Sequence, residues 1–113
     1  MTTENYTRIQ ELANTDVETL RVKGSNYGRS WCSRGGVGAF MMMARKWDRI
    51  ENISRNHKYD IFEAGVLNTG DVLDDIADLR AYLLLIESEI YTQREQLGSQ
   101  LVEQLPAGAR DLS

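Results

Sequence analysis

The chain has 113 residues, 42% of them hydrophobic, with one Cys, one Pro and one His, and 13 basic against 17 acidic side chains give a net charge of −4. That length allows one domain with a modest core, and this composition excludes a collagen-like, disulfide-framed or low-complexity protein. A lone cysteine cannot form an internal disulfide bond or a thiolate zinc site. We therefore expect a single domain over residues 1–106 and a flexible C-terminal tail over residues 107–113.

The charge is distributed unevenly along the chain. The segment from Arg21 to Lys58 contains nine basic residues and two acidic ones, Asp48 and Glu51, whereas the rest contains four basic and fifteen acidic residues. An acidic protein with a basic middle third is a poor candidate for stable binding to DNA or RNA. It is a better candidate for holding a small polyanion at one place.

The N-terminal residues have neither the basic and apolar regions of a signal peptide nor the features of a transit peptide. The longest apolar stretches, residues 37–44 and 81–86, are far shorter than the roughly 20 residues that cross a bilayer. We therefore expect a cytoplasmic protein that has no membrane partner.

The first half of the chain predicts two helices joined by a loop. Apolar residues recur at helical spacing over residues 3–23 and again over residues 37–54, where one face carries Val37, Phe40, Met41, Ala44, Trp47 and Glu51. Between them, residues 23–38 contain five glycines, two aromatic and three basic side chains, a composition that predicts a long and functional loop. Residues 55–70 predict a second connection with room for one short helical turn.

The third helix, predicted over residues 72–97, is the most apolar element. Its spacings of four and three residues form the seam of a helix bundle, made by Val72, Ile76, Leu79, Leu83, Ile86 and Ile90. Gly98 is expected to interrupt it before a short helix at 99–105. Because no segment alternates as a strand does, the predicted fold is an all-α bundle of three to four helices. The apolar seam either forms the core of the monomer or packs against a second copy in a homodimer or homotetramer.

Two pairs of carboxylates are candidate metal ligands. Asp48 and Glu51 lie one turn apart on the second predicted helix, and Asp75 and Asp78 lie one turn apart on the third. If these helices pack antiparallel, the four carboxylates can converge on Mg²⁺ or Mn²⁺, which prefer hard oxygen ligands. The alternative is structural, since acidic residues in the first turn of a helix are favoured by its dipole and Asp48 could pair with a neighbouring arginine.

Whole motifs of the sequence resemble a known superfamily. A helix carrying D-x-x-E, followed by a D-x-x-D that opens an apolar helix, resembles the MazG-like all-α nucleoside triphosphate pyrophosphohydrolases, most closely at LDDIADLRAYLLLI. The segment KGSNYGRSW is similar to phage and bacterial nucleotide-modification-associated domain proteins, which carry a Lys, a Tyr-Gly and a Ser-Trp in this order. Together these stretches cover residues 23–90. The chain departs from the superfamily's usual E-E-x-x-E, because it has Trp47-Asp48 where the two glutamates would fall.

The resemblance implies hydrolysis of a (d)NTP, a purine one in the family context, to (d)NMP and pyrophosphate. The implied role is nucleotide-pool adjustment for modified phage DNA, in the host cytoplasm if the protein is phage-encoded. The implied Mg²⁺ or Mn²⁺ ligands are Asp48, Glu51, Asp75 and Asp78, and Glu51 is the residue expected to orient or deprotonate the attacking water. The side chains expected to contact the nucleotide are Lys23, Tyr27, Arg29, Trp31, Arg34, Arg45 and Lys46.

Two other functions are compatible with the same residues. The first is a non-catalytic nucleotide-binding protein of the same fold, because the first metal helix departs from the pattern of the superfamily. The second is a helical interaction module in which the carboxylates are solvated and the basic segment contacts an acidic partner. No residue in the sequence identifies the base.

Overall fold

The computed structural model describes the backbone of residues 4–27 and 30–104, with side chains at 4–23 and 30–101. The elements are α1 (Tyr6–Tyr27), a short 3-10 helix (Ser30–Cys32), α2 (Gly35–Arg55), α3 (Ile61–Leu67) and α4 (Thr69–Gln104). These residues contain no β-strand, which confirms the all-α prediction. The predicted tail at residues 107–113 lies outside the described residues.

The chain divides into two compact units, Met1–Leu83 and Leu84–Ser113. The first unit contains α1, α2, α3 and the N-terminal part of α4. The second unit contains the remainder of α4. The ion pairs that connect α1, α2 and α4 lie within the first unit.

Three helices extend beyond their predicted bounds. α1 continues to Tyr27 and α2 begins at Gly35, so most of the predicted loop at 23–38 is helical. α4 passes through Gly98 without the predicted break. A glycine inside a helix costs about 1 kcal/mol relative to alanine, and the neighbouring Gln, Leu and Ser residues are all compatible with a helix, so one glycine does not end it.

Side chains and one glycine fix where the helices begin. The Asn5 side-chain oxygen accepts a hydrogen bond from the Arg8 backbone N–H at 3.0 Å, which caps α1. The Asp60 carboxylate caps α3 in the same way, through the backbone N–H groups of Phe62 and Glu63. α2 begins differently, at Gly35 with φ +73°, a conformation that glycine adopts without the steric cost of a Cβ.

His57 connects the two ends of α3. Its Nε2 lies 3.0 Å from the side-chain nitrogen of Asn68, and its Nδ1 lies 3.5 Å from a carboxylate oxygen of Glu63. An amide nitrogen can only donate, so Nε2 accepts in this arrangement and Nδ1 carries the proton. Sequence patterning does not predict this structural role, because the partners are side chains on a short helix further along the chain and just after it.

A bidentate ion pair connects α1 to α4. The guanidinium of Arg80 donates from Nε and Nη2 to the two carboxylate oxygens of Asp16, at 2.7 and 2.9 Å. Asp16 is 6% exposed. Its hydrogen bond raises the pKa of Arg80 above the ordinary value, so Arg80 keeps its charge at every accessible pH. The buried apolar residues are few: Ala39, Ile50, Ala64 and Val72. The ion pair therefore adds a specific contact between α1 and α4 to a small apolar core.

α2 buries a different side from the one that apolar spacing predicts. Its buried residues are Ala39, Ile50 and Ser54. The predicted apolar face, which we call the α2 stripe, consists of Val37, Phe40, Met41, Ala44 and Trp47. The four large side chains of the α2 stripe, at positions 37, 40, 41 and 47, are 79%, 58%, 54% and 56% exposed. Helical periodicity detects an apolar face, but it does not show whether that face packs within the same chain.

Candidate functional site

Five charged side chains from three helices meet at one place in the first unit. We call this group the charged cluster; it consists of Lys23 from α1, Lys46 and Arg49 from α2, and Asp75 and Asp78 from α4. Asp75 is 1% exposed, whereas Asp78 is partly exposed. The charged cluster therefore has a buried carboxylate beneath a carboxylate that solvent or a ligand can reach.

Asp75 is bound by two cations of α2. The Nε of Arg49 lies 3.0 Å from Oδ1 and donates to Oδ2 at 3.2 Å. The ammonium of Lys46 lies 3.9 Å from Oδ1. These partners offset the cost of burying the carboxylate, which an apolar environment alone would penalise strongly.

Lys46 also connects the two carboxylates. Its Nζ lies 3.0 Å from Oδ2 of Asp78, while the Nζ of Lys23 lies 3.9 Å from Oδ1 of the same group. Three cations therefore face two carboxylates, which leaves the charged cluster with a net positive charge. A site of this sign attracts an anion in addition to the carboxylates that it already contains.

Helix geometry explains why these residues meet. Lys46 and Arg49 are three positions apart and lie on one side of α2, and Asp75 and Asp78 have the same spacing on α4. Two rows with matching spacing and opposite charge face each other where α2 and α4 meet. The sequence prediction included Lys46 but not Arg49. The spacing of three residues from Lys46, together with its basic charge, is the signal that could have identified Arg49.

The structure does not bring Asp48 and Glu51 to Asp75 and Asp78. At 3.6 residues per turn, Asp48 and Glu51 lie roughly 140–160° around α2 from Lys46. Asp48 is exposed. The Glu51 carboxylate accepts a hydrogen bond from Trp47 Nε1 at 3.1 Å and lies 3.5 Å from the Arg55 guanidinium.

Arg55 is held in turn by its neighbours at the end of α2. Its Nε donates to the Tyr59 hydroxyl at 3.2 Å, and this contact raises the pKa of Arg55 above its ordinary value. Glu51 therefore belongs to a local network with Trp47 and Arg55 on the surface of its own helix.

Among the residues that the structure describes, no three His, Cys, Asp or Glu side chains form a group able to hold a metal ion. Metal binding by the four predicted carboxylates stays a prediction.

None of the other described residues that were predicted to contact a nucleotide belongs to the charged cluster. Trp31 is half-buried in the 3-10 helix, Arg34 is exposed just before α2, and Arg45 is exposed on α2. The side chain of Tyr27 and the whole of Arg29 lie outside the described residues. Lys23 and Lys46 are thus the members of the predicted set that the structure places in the charged cluster.

Asp75 and Asp78 fit one mode of metal binding. Mg²⁺ keeps several waters and is commonly held by one or two carboxylates together with the phosphates of a substrate. Two aspartates one turn apart supply this number of hard oxygen ligands, and Asp78 is open enough to exchange its lysine partners for a metal. Asp78 is therefore the accessible donor of the pair, whereas Asp75 is 1% exposed and could contribute to a cation only by releasing part of its contact with Arg49 and Lys46.

Comparison with known proteins gives no relative. No family model matches the chain, and no match is found among curated proteins or solved structures. The resemblance of residues 23–90 to the MazG-like superfamily therefore remains a prediction. Within residues 4–27 and 30–104, every helix is too short or too polar to cross a bilayer.

Proposed function

We propose that this protein is a metal-dependent nucleotide pyrophosphohydrolase of the MazG-like kind, converting a (d)NTP to (d)NMP and pyrophosphate with the charged cluster as its phosphate-binding site. One observation carries the proposal. Two cations predicted to bind substrate, Lys23 and Lys46, contact the carboxylate of Asp78, a predicted metal ligand, although they come from different helices. Lys46 also contacts Asp75, the second predicted ligand on α4.

The side chains of the charged cluster have the chemistry that a triphosphate requires. A bound Mg²⁺ or Mn²⁺ neutralises phosphate charge and lowers the pKa of its water. Asp75 and Asp78 would hold that ion, and Lys46 and Lys23, with their flexible stems, would turn from the carboxylates to the phosphate oxygens. Arg49 keeps Asp75 oriented through Nε, and its terminal nitrogens are available for a bidentate contact with phosphate.

Other parts of the proposal depend on the resemblance alone. These are the purine preference, the role in nucleotide pools for modified phage DNA, the cytoplasmic location, and the participation of Asp48 and of Glu51 as the group that activates water. The expected homodimer or homotetramer is likewise a proposal, and a separate apolar surface supports it.

A non-catalytic nucleotide-binding protein is the second candidate. The observation that favours it is the position of Asp48 and Glu51, which lie on the other side of α2 from the charged cluster. Without those two carboxylates, the cations of the charged cluster can still bind phosphate. Its two carboxylates could hold a metal, but the cluster has no third carboxylate to activate water.

A product assay separates these functions. The purified chain is incubated with each NTP and dNTP in the presence of Mg²⁺ or Mn²⁺, and products are resolved by anion-exchange chromatography. We expect equimolar monophosphate and pyrophosphate from at least one nucleotide. No product with either metal, combined with a nucleotide-dependent rise in Tm, would support the binding protein instead. If neither product nor a rise in Tm is observed, the helical interaction module is the function that remains.

A further inference from the structure

Lys46 is bound to the carboxylates that a metal ion would need. Its Nζ lies 3.0 Å from Oδ2 of Asp78 and 3.9 Å from Oδ1 of Asp75, so one ammonium is shared by the two predicted ligands. A divalent cation held by this pair would bind the same carboxylates with the ammonium beside it. Lys46 and the metal ion therefore compete for Asp75 and Asp78.

The three cations of the charged cluster are not equally exposed. The side chain of Lys46 is 22% exposed, whereas those of Lys23 and Arg49 are 53% and 58% exposed. A charge that is shielded from water interacts more strongly with its neighbours than a solvated charge does. Lys46 is therefore the cation that most strongly opposes a metal ion at the two carboxylates.

The net charge of the cluster distinguishes a free metal ion from one that is bound to a nucleotide. Three cations outnumber two carboxylates and repel a free divalent cation. A triphosphate that carries one divalent ion is still an anion, and the same net charge attracts it. Its oxygen atoms also offer Lys46 a charged hydrogen bond in exchange for the contact with Asp78.

We propose that Lys46 excludes free divalent cations from the charged cluster, and that the site takes its metal only as a complex with the triphosphate. This inference rests on the proposed function, because a phosphate must reach the charged cluster before Lys46 leaves the carboxylates. The flexible stem of a lysine allows such an exchange of partners. The substrate is therefore the metal–nucleotide complex, and no metal ion is bound before it arrives.

Titration with Mn²⁺ alone tests this exclusion without any turnover, since the electron paramagnetic resonance signal of the free ion falls as it binds. We expect Lys46→Gln to bind Mn²⁺ at least about 10-fold more tightly than the wild type, because a positive charge beside the ion is lost. Lys46→Met, which keeps the apolar stem, should show the same gain. Adding Asp78→Asn to Lys46→Gln should abolish the gain, because the accessible carboxylate is lost.

The matched control is Lys23→Gln, which lowers the net charge of the cluster by the same amount but leaves Lys46 in place. Its Mn²⁺ affinity should stay within about 3-fold of the wild type, because Lys23 is half-exposed and lies 3.9 Å from Asp78. Circular dichroism checks that each variant keeps its helical fold. Equal gains in Lys23→Gln and Lys46→Gln, or no gain in Lys46→Gln and Lys46→Met, would overturn the inference.

Calorimetric titration with the Mn²⁺ complex of a non-hydrolysable nucleoside triphosphate separates this inference from the proposed function. We expect the wild type to bind the complex and to bind Mn²⁺ alone far more weakly. A wild type that binds both equally well would contradict the exclusion by Lys46 and leave the proposed function standing. A wild type that does not bind the complex would contradict the proposed function, and with it the entry of the metal on a nucleotide.

Discussion

Replacing Arg80 with Met should lower the free energy of unfolding by about 3–4 kcal/mol. The substitution keeps an apolar stem of similar length but removes the guanidinium that satisfies both oxygens of Asp16. Because Asp16 is 6% exposed, water cannot replace the lost partner and the carboxylate is left buried and unpaired. Urea unfolding followed by circular dichroism measures the difference.

Replacing Asp16 should lower the free energy of unfolding less than replacing Arg80 does. The Arg80 side chain is 34% exposed, so water compensates it partly when Asp16 is changed to Asn, and we expect a smaller loss of about 1–2 kcal/mol. Arg8→Met, at an exposed position on α1, should stay within about 0.5 kcal/mol of the wild type. If Arg80→Met is no less stable than Arg8→Met, the ion pair does not stabilise the first unit.

Changing Asp78 to Asn should reduce nucleotide turnover by about 100-fold or more while leaving the helical fold intact. The amide has nearly the same shape as the carboxylate but removes the charge that holds a divalent cation. Asp78 is partly exposed and its lysine partners reach solvent, so the loss of its charge should affect stability much less than activity. The apparent affinity for Mg²⁺ or Mn²⁺, measured from the metal dependence of turnover, should fall with it.

The matched control for this variant is Asp74→Asn. Asp74 lies on the same turn of α4, is exposed, and is not a member of the charged cluster. It should turn over nucleotide at the wild-type rate with the wild-type metal dependence. Normal turnover by Asp78→Asn would show that Asp78 is not a metal ligand.

Helical periodicity predicted the elements of the fold well. The predicted second helix at 37–54 corresponds to α2, and the apolar seam from Val72 corresponds to α4. Glycine content was misleading, since α1 extends through Gly24 and α4 through Gly98. The moderate cost of a glycine can be offset by the helix on both sides of it, and composition does not reveal that balance.

The candidate site was predictable where it depended on one helix. The i, i+3 spacing of Asp75 and Asp78 was sufficient to identify that pair. The partners of the pair depend on which side of α2 faces α4, and the sequence favoured the side with the larger apolar residues. The structure instead turns Lys46 and Arg49 toward α4 and leaves Glu51 with Trp47 and Arg55. Periodicity cannot distinguish a face that packs inside the chain from one that packs against a second copy.

The most direct test of the charged cluster as the phosphate-binding site is calorimetric titration with a non-hydrolysable α,β-methylene nucleoside triphosphate in the presence of Mg²⁺. We expect Lys46→Gln to bind the analogue about 10-fold or more weakly than the wild type, because it loses a charged hydrogen bond to phosphate. Lys58→Gln, which removes an exposed lysine outside the charged cluster, should bind as the wild type does. Equal affinity of Lys46→Gln and the wild type would contradict the assignment of this site.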